Sequence, residues 1–234
     1  MVGIVAVTTY ETDTPSPTLS AGASAVFILC HASSGDGSTL TNCTLGGAGY
    51  VDIQGPAPNT GGEEAVLGVA SFTHPGAGSY QIVSTFSGVG SVRSKMYTVI
   101  ELSDADTAIS GFVFSALGGQ SNNFIASKDL ASASGELAIS FAVASDAATF
   151  EDNGGTDYAG NLTNVNAQVR DYLQACSGVD AVVASDPTTY QFQFSETSLS
   201  GGFYDRAMIA VFYVAGGGVS IPVVANHLRN QGFQ

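Results

Sequence analysis

Three histidines, three cysteines and two acidic clusters are the groups in this chain that could do chemistry. A metal site or a catalytic triad would need His31, His74 or His227 brought beside acids or a nucleophile, and their spacing points to neither. All three are expected in loops: His31 beside a Gly/Ser turn, His74 before Pro75, and His227 near the C-terminus. Cys30, Cys43 and Cys176 make an odd count at unrelated spacings, which fits neither a zinc pattern nor an even-numbered disulfide framework. Cys30 ends the apolar run Ala25-Val26-Phe27-Ile28-Leu29 and reads as a buried core thiol. Three reduced thiols are expected, with Cys30–Cys43 the one bridge considered. Ser103-Asp104-Ala105-Asp106-Thr107 and Glu151-Asp152-Asn153-Gly154-Gly155-Thr156-Asp157 offer oxygen ligands. Neither cluster has the fixed ligand positions and closing bidentate Glu of a Ca²⁺ loop, so both read as solvated acidic loops. There is no Gly-x-Ser-x-Gly elbow, phosphate loop or dinucleotide fingerprint. The expectation is a non-enzymatic chain with no catalytic residues, metal or cofactor.

What could position such groups is a set of short strands. Of the 234 residues 44% are hydrophobic, enough for a sizeable core, while only 11% are charged, against roughly a quarter in an average soluble domain. Tyr190, Phe192 and Phe194 alternate with Gln191 and Gln193, and Leu137, Ile139, Phe141 and Val143 with Ala138, Ser140 and Ala142. Tyr80, Ile82 and Phe86 share one face opposite Gln81, Val83 and Thr85. This period of two is that of half-buried strands. Ala25–Cys30, Met96–Ile100 and Met208–Val214 are apolar on both faces, as in strands covered on two sides; 65–70 and 112–114 add two more strands. Val165–Leu173 fits a helix by its i, i+4, i+8 apolar residues, but alternates well enough to be read as a strand. Glycine pairs and Pro/Asp/Asn turns separate these runs. The expected fold is all-β: an antiparallel, jelly-roll-like β-sandwich over residues 1–216, with a C-terminal extension at 217–234.

Charge is unevenly spread. Residues 1–205 hold all 20 acids with Arg93, Lys95, Lys128 and Arg170, whereas 206–234 hold no acid and carry Arg206 and Arg229. The tail is either a buried strand with no need of charge or a docking segment in which Ile221, Val223, Val224 and Arg229 meet a partner. A net charge of −14 repels nucleic acid and anionic lipid, so neither is an expected partner. The apolar stretch from Met1 to Val7 is short for a signal sequence and has no preceding Lys or Arg, and no stretch reaches membrane-spanning length.

Over roughly residues 18–215 the order of segments resembles a jelly-roll module of phage virion proteins and marine bacterial surface proteins. Ser24–Cys30 leads to Cys43-Thr44-Leu45-Gly46-Gly47, and Val66–Phe72, Pro75-Gly76-Ala77-Gly78 and Ser79–Ser87 form a strand pair about a small turn. Met96–Leu102 then runs into the Asp104/Asp106 cluster, Gly135-Glu136-Leu137-Ala138-Ile139 matches a Gly-Asp-Leu-Val strand, and Ala207–Val214 matches the closing strand. Where the module commonly places Trp, this chain has Phe194 and Phe203 nearby and no Trp at all. The resemblance implies a virion component (a capsid decoration, head-spike or tail-associated protein), oligomeric and in contact with other virion proteins. The alternative is a carbohydrate- or receptor-binding module using Tyr50, Asp52, Asp157 and Tyr158.

Overall fold

The computed structural model describes residues 2–34, 38–55, 64–88, 92, 94–118, 124–132, 136–145, 149–152, 168–170, 173–183, 188–197 and 206–216. These residues form eighteen strands and no helix. The central sheet has the order β1 (Gly3–Tyr10), β10 (Ser94–Ser103), β3 (Ala25–Ser34), β7 (Glu64–Thr73), β6 (Asp52–Gln54), antiparallel throughout. A front sheet is built from β5 (Ala48–Gly49), β4 (Thr39–Leu45) and β9 (Ile82–Ser87). A back sheet runs β11 (Ala105–Gly118), β18 (Arg206–Gly216), β13 (Leu137–Ser145), β16 (Leu173–Val183), β15 (Gln168–Arg170). β12 (Phe124–Ser132), β17 (Thr188–Thr197) and β14 (Thr149–Asp152) make a third flanking sheet. The short strands β2 (Thr18–Leu19) and β8 (Gly78–Ser79) form a separate antiparallel pair.

The runs that are apolar on both faces explain this layering. In β3, Ala25, Phe27 and Leu29 join a core with Leu67, Val69, Ile100 and Leu102 of the central sheet and Leu137, Ile139, Phe141 and Val214 of the back sheet. The alternate residues Val26, Ile28 and Cys30 join Ala70, Phe72, Tyr97 and Val99 in a second core, closed by Leu40, Cys43, Leu45 and Ile82 of the front sheet. The architecture is therefore all-β and antiparallel, with one sheet shared between two cores. Each large side chain buried there, such as Phe27 or Leu29, contributes about 1.5–3 kcal/mol.

The half-buried strands follow their alternation. Ile82 and Ser84 are buried and Phe86 half-buried, while Val83 and Thr85 face solvent. The stretch 165–173 is strand where it is described, at Gln168–Arg170 and from Leu173 onward. Gly46 and Gly47, both at positive φ, form the two-residue turn that pairs Leu45 with Ala48.

Two expectations are corrected. His31 is not a loop residue: β3 continues to Ser34 because β7 and β10 flank it that far, pairing Ser34 with Glu64 and Ser33 with Ser94. The Ser103–Thr107 cluster is not a loop either. Asp104 alone turns the corner, at φ 52°, and β11 begins at Ala105. There the chain passes from the central to the back sheet, and Ser24 pins it: its Oγ donates to Ala105 O at 2.8 Å and accepts from Ala105 N at 3.0 Å. Asp tolerates this left-handed conformation far better than a branched residue does. Asp104→Val is therefore expected to lower unfolding free energy by about 1–2 kcal/mol, and Asp104→Gly by much less, in urea titrations followed by circular dichroism.

Candidate functional site

A buried polar network joins the chain just after β2 and the turn before β8 to the central sheet. Glu101 lies near the C-terminal end of β10, within the buried stretch Met96–Leu102, its side chain only 5% exposed. A carboxylate so placed requires donors. Ser20 supplies its backbone N–H at 2.8 Å and its hydroxyl at 3.3 Å, and His74 Nε2 lies 3.0 Å from Oε2. The other imidazole nitrogen, Nδ1, accepts from the Gly76 N–H at 3.1 Å. An accepting Nδ1 means that Nε2 carries the proton and donates it to Glu101.

These are the residue types of a hydrolytic triad, but their order is different. The serine hydroxyl is bonded to the carboxylate rather than to the imidazole, and both ring nitrogens are engaged, so His74 has no nucleophile to deprotonate. What the network can do is fasten the 74–78 turn and β2 to the central sheet, helped by the His74 N–H bond to Ser24 O. Spacing gave no hint of it, because Ser20, His74 and Glu101 come from three distant segments; the legible signal was a lone acid inside an apolar run.

Beside this network Leu45, Ala48, Gly49, Val51, Phe72, Thr73 and Pro75 line a mostly apolar hollow of about 130 Å³. That is well below the roughly 300 Å³ at which small-molecule pockets begin. Val51 on its rim is 56% exposed and Tyr50 is exposed as well. Asp52, a candidate sugar ligand beside Tyr50, is engaged elsewhere: its Oδ2 accepts from the Ile109 N–H at 3.2 Å, joining β6 to the irregular start of β11. Asp157 and Tyr158 lie outside the described residues, as do His227 and the docking candidates Ile221, Val223, Val224 and Arg229.

Among the described residues no group of three or more His, Cys, Asp or Glu could hold a metal ion. Asp106 instead accepts from the backbone N–H of Thr107 at 2.7 Å. No helix among the described residues is long and apolar enough to cross a membrane. Cys30 and Cys43 are both free and buried, whereas the side chain of Cys176 in β16 lies outside the described set. Compared with known proteins, the chain matches no family model, and no curated protein matches it.

His31 is fully buried and stands edge-on to Phe141, with ring centroids 5.7 Å apart and planes at 84°. Burial disfavours the imidazolium and pushes its pKa down to about 3. The unfolded chain takes up a proton near pH 6.5 that the native chain refuses, so this residue lowers stability as pH falls from 6.5 towards 3 and has no such effect above. Between pH 6.5 and 4.5 the loss is expected to be about 2–3 kcal/mol. Chemical denaturation across that range measures it, and His31→Leu should remove this part of the slope; a variant with the wild-type slope would refute the assignment.

Proposed function

We propose that the chain is a non-enzymatic structural component of a phage particle, a jelly-roll-like decoration, head-spike or tail-associated protein. On this reading it resides in the virion, assembled in the host cytoplasm among other virion proteins and as an oligomer. The order of segments along the sequence, which resembles that of virion jelly-roll modules, is what suggests a virus.

The observation that carries an assembly role is β1. It is an outer strand of the central sheet, eight residues long, and GIVAVTTY contains no charge, in a chain of net charge −14. Ile4 and Val5 on it are 38% and 37% exposed. Outer strands of proteins that remain single are usually blunted by Lys, Pro or inward charges. Here a register shift between Ile4 and Ala6 is the one such device among the described pairings of β1, and Ala6–Tyr10 beyond it pairs regularly with β10. An uncharged edge lets two strongly acidic molecules meet without opposing like charges, and a closed cyclic oligomer is the default outcome.

Two measurements test this. Mass spectrometry of purified particles should find the chain at a fixed ratio to the major capsid or tail protein, and its absence from particles would overturn the virion reading. Sedimentation of the purified chain should show an oligomer that the Ile4→Lys/Val5→Lys double variant dissociates while leaving the melting temperature within a few degrees. A wild-type chain that stays monomeric would remove the role given to β1.

A further inference from the structure

We propose that Cys30 and Cys43 are an oxidisable dithiol, which a small-molecule disulfide such as oxidised glutathione converts into a covalent tie between the central and front sheets. The two Sγ atoms face each other 4.0 Å apart, both residues fully buried. They come from different sheets, Cys30 from β3 and Cys43 from β4.

Two local features make them meet. In β4 the register slips between Leu40 and Asn42, leaving Thr41 as the extra residue of a bulge. In a regular strand, residues three apart point to opposite faces. The bulge resets the phase, so Leu40 and Cys43 both point inward while Thr41 and Asn42 are exposed. The second feature is Gly68, the register partner of Cys30 in β7. A Cβ there would lie 2.7 Å from both Cβ and Cδ2 of Leu40, so only glycine lets the front sheet come this close. The next strands fix the same gap. Tyr97 pairs with Cys30, Ser84 pairs with Cys43, and the two hydroxyls are hydrogen-bonded across the sheets at 2.6 Å. Tyr97 donates its proton to Asp13 O at 3.1 Å, so Ser84 is the donor to Tyr97.

A disulfide needs the sulfurs to close from 4.0 Å to about 2.05 Å. In the reaction one cysteine thiolate attacks the small disulfide, forming a mixed disulfide and releasing one small thiolate. The second cysteine thiolate then attacks the protein sulfur and expels the other. Two protein thiols are thereby oxidised and one small disulfide is reduced to two thiols. Burial holds the Cys30 thiol well above its ordinary pKa, with further upward contributions from Cys43 that outweigh the opposing effect of Lys95. The thiolate is the reactive form, so closure is fast during folding and slow once the core is shut.

The full-length chain would be refolded in a glutathione redox buffer and, in parallel, in dithiothreitol, then alkylated and digested without reduction. The oxidised arm should yield a Cys30–Cys43 linked peptide lighter by two hydrogens, and a melting temperature about 5–10 °C above the reduced arm. Cys43→Ala should show no difference between arms; should that variant fail to fold, the wild-type peptide map decides alone. Folded protein in which both residues are recovered alkylated from the oxidising arm, or in which either is linked to Cys176, would overturn the proposal.

Discussion

The rest of the structure depends on the central sheet being buried on both faces. Ala25–Ala32 of β3 and Met96–Leu102 of β10 are buried on both faces, so each of those faces demands a partner layer. The back sheet satisfies one face through Phe141, Ile139 and Val214, and the front sheet satisfies the other through Leu40, Leu45 and Ile82. Polar groups that fall inside must then be satisfied within the protein. Glu101 is met by Ser20 and His74, Thr98 exchanges a hydroxyl bond with Thr9 at 3.1 Å, and Tyr97 is held by Ser84 and Asp13. These bonds also tie the peripheral pieces, β1, β2 and the 74–78 turn, to the middle of the molecule.

Much of this was legible in the residues. The runs at 25–30 and 96–100 carried large apolar residues on both faces, which is the signature of strands covered on two sides, and they proved to be the core of the shared sheet. Alternation placed the faces of β9 correctly, and the Gly46-Gly47 turn fell where the glycine pair stood. What escaped was set by contacts distant in sequence. The end of β3 was misjudged at His31 because an imidazole beside Ser33-Ser34-Gly35 looks like the start of a turn. Only the pairing with β7, to Ser34, and with β10, to Ser33, carries the strand onward. The Asp104/Asp106 cluster looked like an acidic loop, yet Ser24, some eighty residues earlier, holds Ala105 in a corner that starts a strand.

The candidate site was less legible than the fold, for a related reason. A strand announces itself by period, whereas a polar network is assembled from single residues on separate strands. The inward turn of Cys43 depends on one extra residue, Thr41, whose effect on phase cannot be read from composition. Tyr50 and Asp52 were singled out as neighbours in a polar loop, but the Asp52 carboxylate holds the backbone of Ile109 and thereby joins the central sheet to the start of the back sheet.

The place of β10 in the central sheet also governs the order in which the molecule can form. It lies between β1 and β3, pairing Ser103 with Gly3 and Leu102 with Ala25, so two of its neighbours come from the first thirty-four residues. No hairpin nucleus joins these strands, and closure of a long chain segment must precede the reward of pairing. Folding on the order of milliseconds to seconds is the regime for such non-local β architectures. Until β10 arrives, β3 waits with one flank unpaired, and self-association competes with folding during that interval.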